Sequence, residues 1–150
     1  MNYPRIVVAA VAATVVDALY GFIVWGQVLN REFARYPGIY RPGGDMTALP
    51  LMFLGVLVGM FFASWIYAKG YEGGAGLTEG VRFGGLMGLL MGAYLAGVNY
   101  GIMRIGKRMA LTYGIGWLGE WVLVGLVIGL VYKPAANPAR RAAGAGVSLP

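Results

Sequence analysis

The sequence predicts an all-α polytopic membrane protein, a bundle of four transmembrane helices packed through glycine stripes. Three observations carry this. The 150-residue chain is 59% hydrophobic and 12% charged, where an ordinary soluble domain carries roughly 25% charged residues. Its apolar residues gather into four runs of about 20 residues, the length that crosses a bilayer core. In the third run glycine recurs at every fourth position, at Gly80, Gly84, Gly88 and Gly92, with Ala96 next. In a soluble helix each glycine would lose about 1 kcal/mol against alanine. In lipid the backbone hydrogen bonds cannot be surrendered to water, so the segment stays helical and the stripe lets another helix lie close to it. The third helix is therefore expected at the centre of the bundle, with the others packed on it.

The first helix is expected over residues 6–29. Asp17 interrupts its apolar run, which argues against a secretory leader and puts one acid near the bilayer middle. Asn30–Tyr36 extends this helix out of the membrane, with Arg31 and Arg35 one turn apart, until Pro37-Gly38 ends it. Tyr36, Tyr40 and Arg41 suit a loop at headgroup level. The second helix spans 48–67, with a small stripe of Gly55, Gly59 and Ala63, and closes on Trp65 and Tyr67. The following KGYEGGAGLTE segment lacks the GxxxxGK[ST] spacing of a phosphate cradle, so it reads as an interhelical turn. The third helix runs over 80–103, with Glu79 and Arg82 expected to pair at its mouth, and Arg104, Lys107 and Arg108 make a compact basic turn beyond it. The fourth helix covers 111–132 and carries Trp117, Glu120, Trp121, Gly125 and Gly129 before Lys133-Pro134 stops it. Residues 1–134 thus form one transmembrane domain, and the small, basic, proline-punctuated stretch 135–150 is expected to be a disordered tail. The word VLVG occurs at Val56–Gly59 and again at Val122–Gly125, but so short an apolar word also recurs by chance.

Composition excludes several chemistries. The chain has no cysteine and no histidine, which removes disulfides, thiolate metal sites, iron–sulfur clusters, histidine-ligated haem and histidine acid–base catalysis. No serine–base or metal constellation is present either, so neither an enzyme nor a cofactor is expected. The net charge of +6 points to anionic lipid headgroups, with Arg31, Arg35, Arg104, Lys107 and Arg108 as the expected contacts. No basic run interleaved with stacking aromatics speaks for nucleic acid. Four helices put both ends of the chain on one side. Arg5, Lys69, Arg82, Lys133, Arg140 and Arg141 fall there, and Arg31, Arg35, Arg41, Arg104, Lys107 and Arg108 fall opposite. The basic residues tie, so the positive-inside rule gives no orientation.

Asp17 and Glu120 carry the sharpest signal. A charged group deep in a bilayer costs several kcal/mol and faces a bundle interior or a water pocket. Asp17 shares a helical face with Ala10, Ala13, Thr14 and Gly21, most of them small. A polar cluster of Asp17, Glu120, Asn99, Tyr20 and Tyr94 is expected, and with no lysine or arginine at that depth the two acids would share a proton where they meet. Such a pair fixes helix register or docks a subunit. Alternatively it carries protons or a small solute.

Ala18-Leu19-Tyr20, Glu79-Gly80, Asn99-Tyr100 and the glycine-rich fourth helix resemble a group of small bacterial four-helix membrane proteins. The resemblance implies a four-helix membrane fold and no assigned activity. Small multidrug transporters are similar in size and in the acid of helix 1, but differ in loop lengths and lack the acid in helix 4. The expectation is a non-enzymatic subunit of a bacterial inner membrane, self-associating or accessory to a larger complex. The alternative is a proton-coupled carrier or channel built on the two acids.

Overall fold

The computed structural model describes residues 1–41 and 46–134. The expected tail at 135–150 lies outside the described residues. Among those described the chain is all-helical: α1 (Tyr3–Tyr20), a π-helical continuation (Gly21–Val28), a short α2 (Asn30–Phe33), α3 (Leu49–Lys69), α4 (Gly76–Ile102) and α5 (Lys107–Val131). Four of these units, Tyr3–Val28, Leu49–Lys69, Gly76–Ile102 and Lys107–Val131, are long and apolar enough to cross a membrane, which makes this a multi-pass membrane protein.

Local chemistry sets the helix starts. Asn2 caps α1 by accepting from the Arg5 N–H at 3.4 Å, and Pro4 occupies the first turn, where no intrahelical donor is required. Pro50 plays the same part in α3. Gly73 turns the chain between α3 and α4 at φ +92°, backbone that glycine adopts without a steric penalty. The side chain of Glu79 reaches back to accept from the Gly74 N–H at 2.6 Å and from the Tyr67 hydroxyl at 3.4 Å. The expected Glu79–Arg82 pair is therefore replaced by Arg82–Glu72 at 3.4 Å, because Glu79 is taken up by the turn.

α4 and α5 form an antiparallel hairpin closed by Met103–Gly106. The buried residues of α4 are Gly80, Gly84, Gly88 and Gly92. A Cβ on Gly80 would meet the Gly125 carbonyl, one on Gly84 the Trp121 carbonyl, and one on Gly92 would come within 2.7 Å of the Gly114 carbonyl. Gly129 lies against Gly76 and Gly80, and Ala96 against Gly114.

The centre of the bundle is α5, not the third helix that the glycine ladder suggested. α5 contacts α4 on one side and α1 on another, and α1 in turn packs on α3. Of its most apolar stretch 39% is buried, against 17% for α4. The reason is that α5 has two usable faces, glycine toward α4 and Glu120, Val124 and Ile128 among the buried residues beyond it. α4 turns bulky Leu86, Leu89 and Leu90 outward. The α1–α3 contact uses small residues, with Ile6, Ala9, Ala10 and Ala13 buried on α1 and Met60, Ala63, Ser64, Tyr67 and Ala68 on α3. Those of α3 all lie in its second half. Gly55 and Gly59 are exposed, with nothing within 4 Å of where a Cβ would sit, so they pack on no other helix among the described residues. Val56 is the residue of the first half of α3 that packs against this core.

Candidate functional site

The polar centre lies between α1 and α5. The Asp17 and Glu120 carboxyls face one another there. An ionised carboxylate only accepts, so two facing carboxyls can share a hydrogen bond only through a proton held by one of them. Glu120 is buried at 4% exposure. Its Oε2 also accepts from the Trp25 indole Nε1 at 3.1 Å. The Tyr20 hydroxyl donates to the Gly116 carbonyl at 2.8 Å and lies over Gly119. Asp17, Tyr20 and Trp25 thus come from one continuous helix and converge on a single turn of α5. Glycine makes that turn accessible, since a Cβ at Gly116 would run into the Trp25 ring and one at Gly119 would approach the Tyr20 hydroxyl.

Trp25 was not expected in this cluster. In α-helical geometry a residue five positions beyond Tyr20 points about 140° away from it around the axis. Here the helix changes to i→i+5 hydrogen bonding over Gly21–Val28, and the last such bond runs from the Leu29 N–H to the Val24 carbonyl at 2.8 Å. The wider turn brings Trp25 round beneath Tyr20, with ring centroids 6.5 Å apart. Local π-helix inside an α-helix recurs at functional sites.

Two of the expected members lie elsewhere. Tyr94 is 64% exposed and points out of the bundle. Asn99 belongs to the loop end of α4. The hairpin register sets Gly84 against Trp121 and Gly92 against Gly114, so Asn99 sits roughly 20 Å along the axis from the Glu120 level. Tyr94 is excluded by the face it occupies, and Asn99 by its distance along the helix.

Trp25 also begins an aromatic column. It stands 6.1 Å from Trp117, 5.8 Å from Tyr113 and 6.2 Å from Phe33. The Tyr113 and Tyr40 hydroxyls are 2.7 Å apart. The segment 30–41 is folded as a cap on the α4–α5 turn, where Phe33, Tyr36, Ile39 and Tyr40 pack on Ile105, Met109 and Ala110. The Tyr36 hydroxyl accepts from the Gly106 N–H at 3.2 Å. Glu32, only 17% exposed, holds Arg108 at 2.6 Å and Arg35 at 3.5 Å. All five cations expected to meet lipid are exposed, and two of them, Arg35 and Arg108, are also paired with Glu32.

Two cavities are open on the surface. One of about 600 Å³ lies between α4 and α5, and one of about 200 Å³ is lined by Tyr67, Glu72, Glu79 and Arg82 at the opposite end. Neither is lined by Asp17 or Glu120. No group of acids able to hold a metal ion occurs among the described residues. Comparison of the chain with family models, with curated proteins and with solved structures finds no match.

Proposed function

We propose that this chain is a non-enzymatic integral subunit of a bacterial inner membrane, joined to a second copy or to another membrane protein through the first half of α3. On this reading the glycine stripe of α4 closes the hairpin on α5, and the Asp17–Glu120 pair locks α1 to it. Small-residue faces are how membrane helices associate when lipid removes any hydrophobic preference for the partner. One observation carries the proposal: Gly55 and Gly59 form a stripe on a half-helix that has no fully buried residue, and no described residue lies near the Cβ position of either glycine. Extraction in a mild detergent followed by mass measurement tests it. The expected result is an assembly of fixed stoichiometry that Gly55→Leu dissolves while the thermal stability of the chain is kept. A monodisperse monomer at native expression levels overturns it.

A second reading, proton-coupled transport, draws on the carboxyl pair itself, which forms no ion pair with a lysine or arginine among the described residues. Proteoliposomes separate the two. Proton flux that Asp17→Asn abolishes speaks for a carrier, and proteoliposomes no leakier than empty vesicles speak for a subunit.

A further inference from the structure

The α4–α5 hairpin parts toward its loop end and leaves the groove of about 600 Å³. Gly92, Ala96 and Gly114, where the helices touch, lie along it. Leu118 marks its deep end, and Tyr100 and Lys107 its mouth. The lining is hydrocarbon throughout except for the hydroxyl and the amine at the mouth. Lys107 is exposed and Arg104 stands three positions before it in the closing turn, and neither takes part in an ion pair among the described residues.

We infer that this groove holds an anionic phospholipid, one acyl chain lying along Gly92–Ala96–Gly114 and the phosphate meeting Lys107 and Arg104. The volume falls within the range of small-molecule sites. The polarity runs in the order a lipid requires, apolar in depth and cationic at the interface, and basic pockets between transmembrane helices suit acidic headgroups. A zwitterionic lipid would leave the two charges unbalanced. A second copy of this chain would bring no spare acid among the described residues. Asp17 and Glu120 hold each other, Glu32 holds Arg35 and Arg108, Glu72 holds Arg82, and Glu79 holds the Gly74 turn. The sixth acid, Asp45, lies outside the described residues. A free anion such as inorganic phosphate would use the mouth and leave the groove unfilled. This site does not depend on whether the chain serves as a subunit or a carrier.

Native mass spectrometry of the full chain in detergent tests the inference, with phosphatidylglycerol and phosphatidylcholine of matched acyl chains as probes. The wild type is expected to retain one phosphatidylglycerol in preference to phosphatidylcholine, and Lys107→Gln with Arg104→Gln should weaken retention about fivefold for each cation removed. Gly97→Leu separates groove from headgroup. It places a side chain in the groove where a Cβ meets nothing within 4 Å, so the fold persists with both cations intact, and retention should again fall. Equal retention of the two lipids, undiminished retention in Gly97→Leu, or displacement by millimolar inorganic phosphate would each overturn the assignment. So would a Gly97→Cys variant that cross-links quantitatively to its own copy in lipid.

Discussion

The Trp25 indole N–H reaches 3.1 Å across the bundle to the Glu120 carboxyl, and it does so from a helix that has left α-helical register four residues earlier. The donor therefore reports on both the acid and the π-helical segment that presents it. Trp25→Phe keeps the ring among Tyr20, Tyr113 and Trp117 and removes the donor. It is expected to lower stability by about 1 kcal/mol, read as the midpoint of unfolding in detergent. The same substitution in a Glu120→Gln background should cost measurably less if the hydrogen bond is what is lost.

The acid pair should behave as a unit. Glu120→Ala removes the partner of both Asp17 and Trp25 and is expected to destabilise by about 1–3 kcal/mol. Asp17→Ala should do likewise. The double variant should recover about 0.5–2 kcal/mol relative to the sum, as contacting residues in one hydrogen-bond network do. Equilibrium unfolding of the four proteins completes the cycle, and strict additivity would show the carboxyls to be independent.

Two adjacent glycines should respond in opposite directions. Gly84→Ala drives a methyl into the Trp121 carbonyl, backbone that cannot rotate away, and is expected to cost about 1–3 kcal/mol as overpacking does. At Gly85 nothing stands within 4 Å of a Cβ, and alanine there should be neutral or stabilising by up to about 1 kcal/mol through helix propensity. Thermal denaturation of the two variants side by side checks the contrast.

Glu32→Gln releases Arg108 and Arg35 together. Both cations are more than half exposed, so global stability should fall by less than about 1 kcal/mol. The local effect should be larger. Hydrogen exchange across residues 30–41 is expected to quicken, and in the unmodified protein the same segment should quicken as salt is raised.

How much of this could be read from the chain depends on what each signal encodes. Four apolar runs of bilayer length give four spans, because length and hydropathy are local properties. Asp17 and Glu120 are conspicuous as charges inside such runs, and a buried charge must find company. Partner identity is less accessible. Gly55–Gly59 and Gly125–Gly129 carry the same spacing, yet the second pair meets α4 and the first meets nothing among the described residues. A periodicity says that a face is small and leaves open what lies against it. Tyr94 falls on the exposed side of α4, which depth does not reveal, and Asn99 falls too far along the axis because the hairpin register is not legible in either helix alone. Trp25 was hidden because any helical wheel assumes 3.6 residues per turn, and the chain abandons that number at Gly21.

The helix with the most neighbours, α5, is also the fourth of the four spans in chain order. During synthesis Asp17 must therefore enter the bilayer before Glu120 has been made, at an insertion cost of about 2.5–3.5 kcal/mol for an acid at mid-depth. Until the keystone arrives, the earlier spans have the α1–α3 contact and the meeting of Tyr67 with Glu79 and Phe83 to hold them. Ribosome-bound chains halted before Leu111 should accordingly be open to quality-control proteases, and completion of the last span is the event that makes the protein durable.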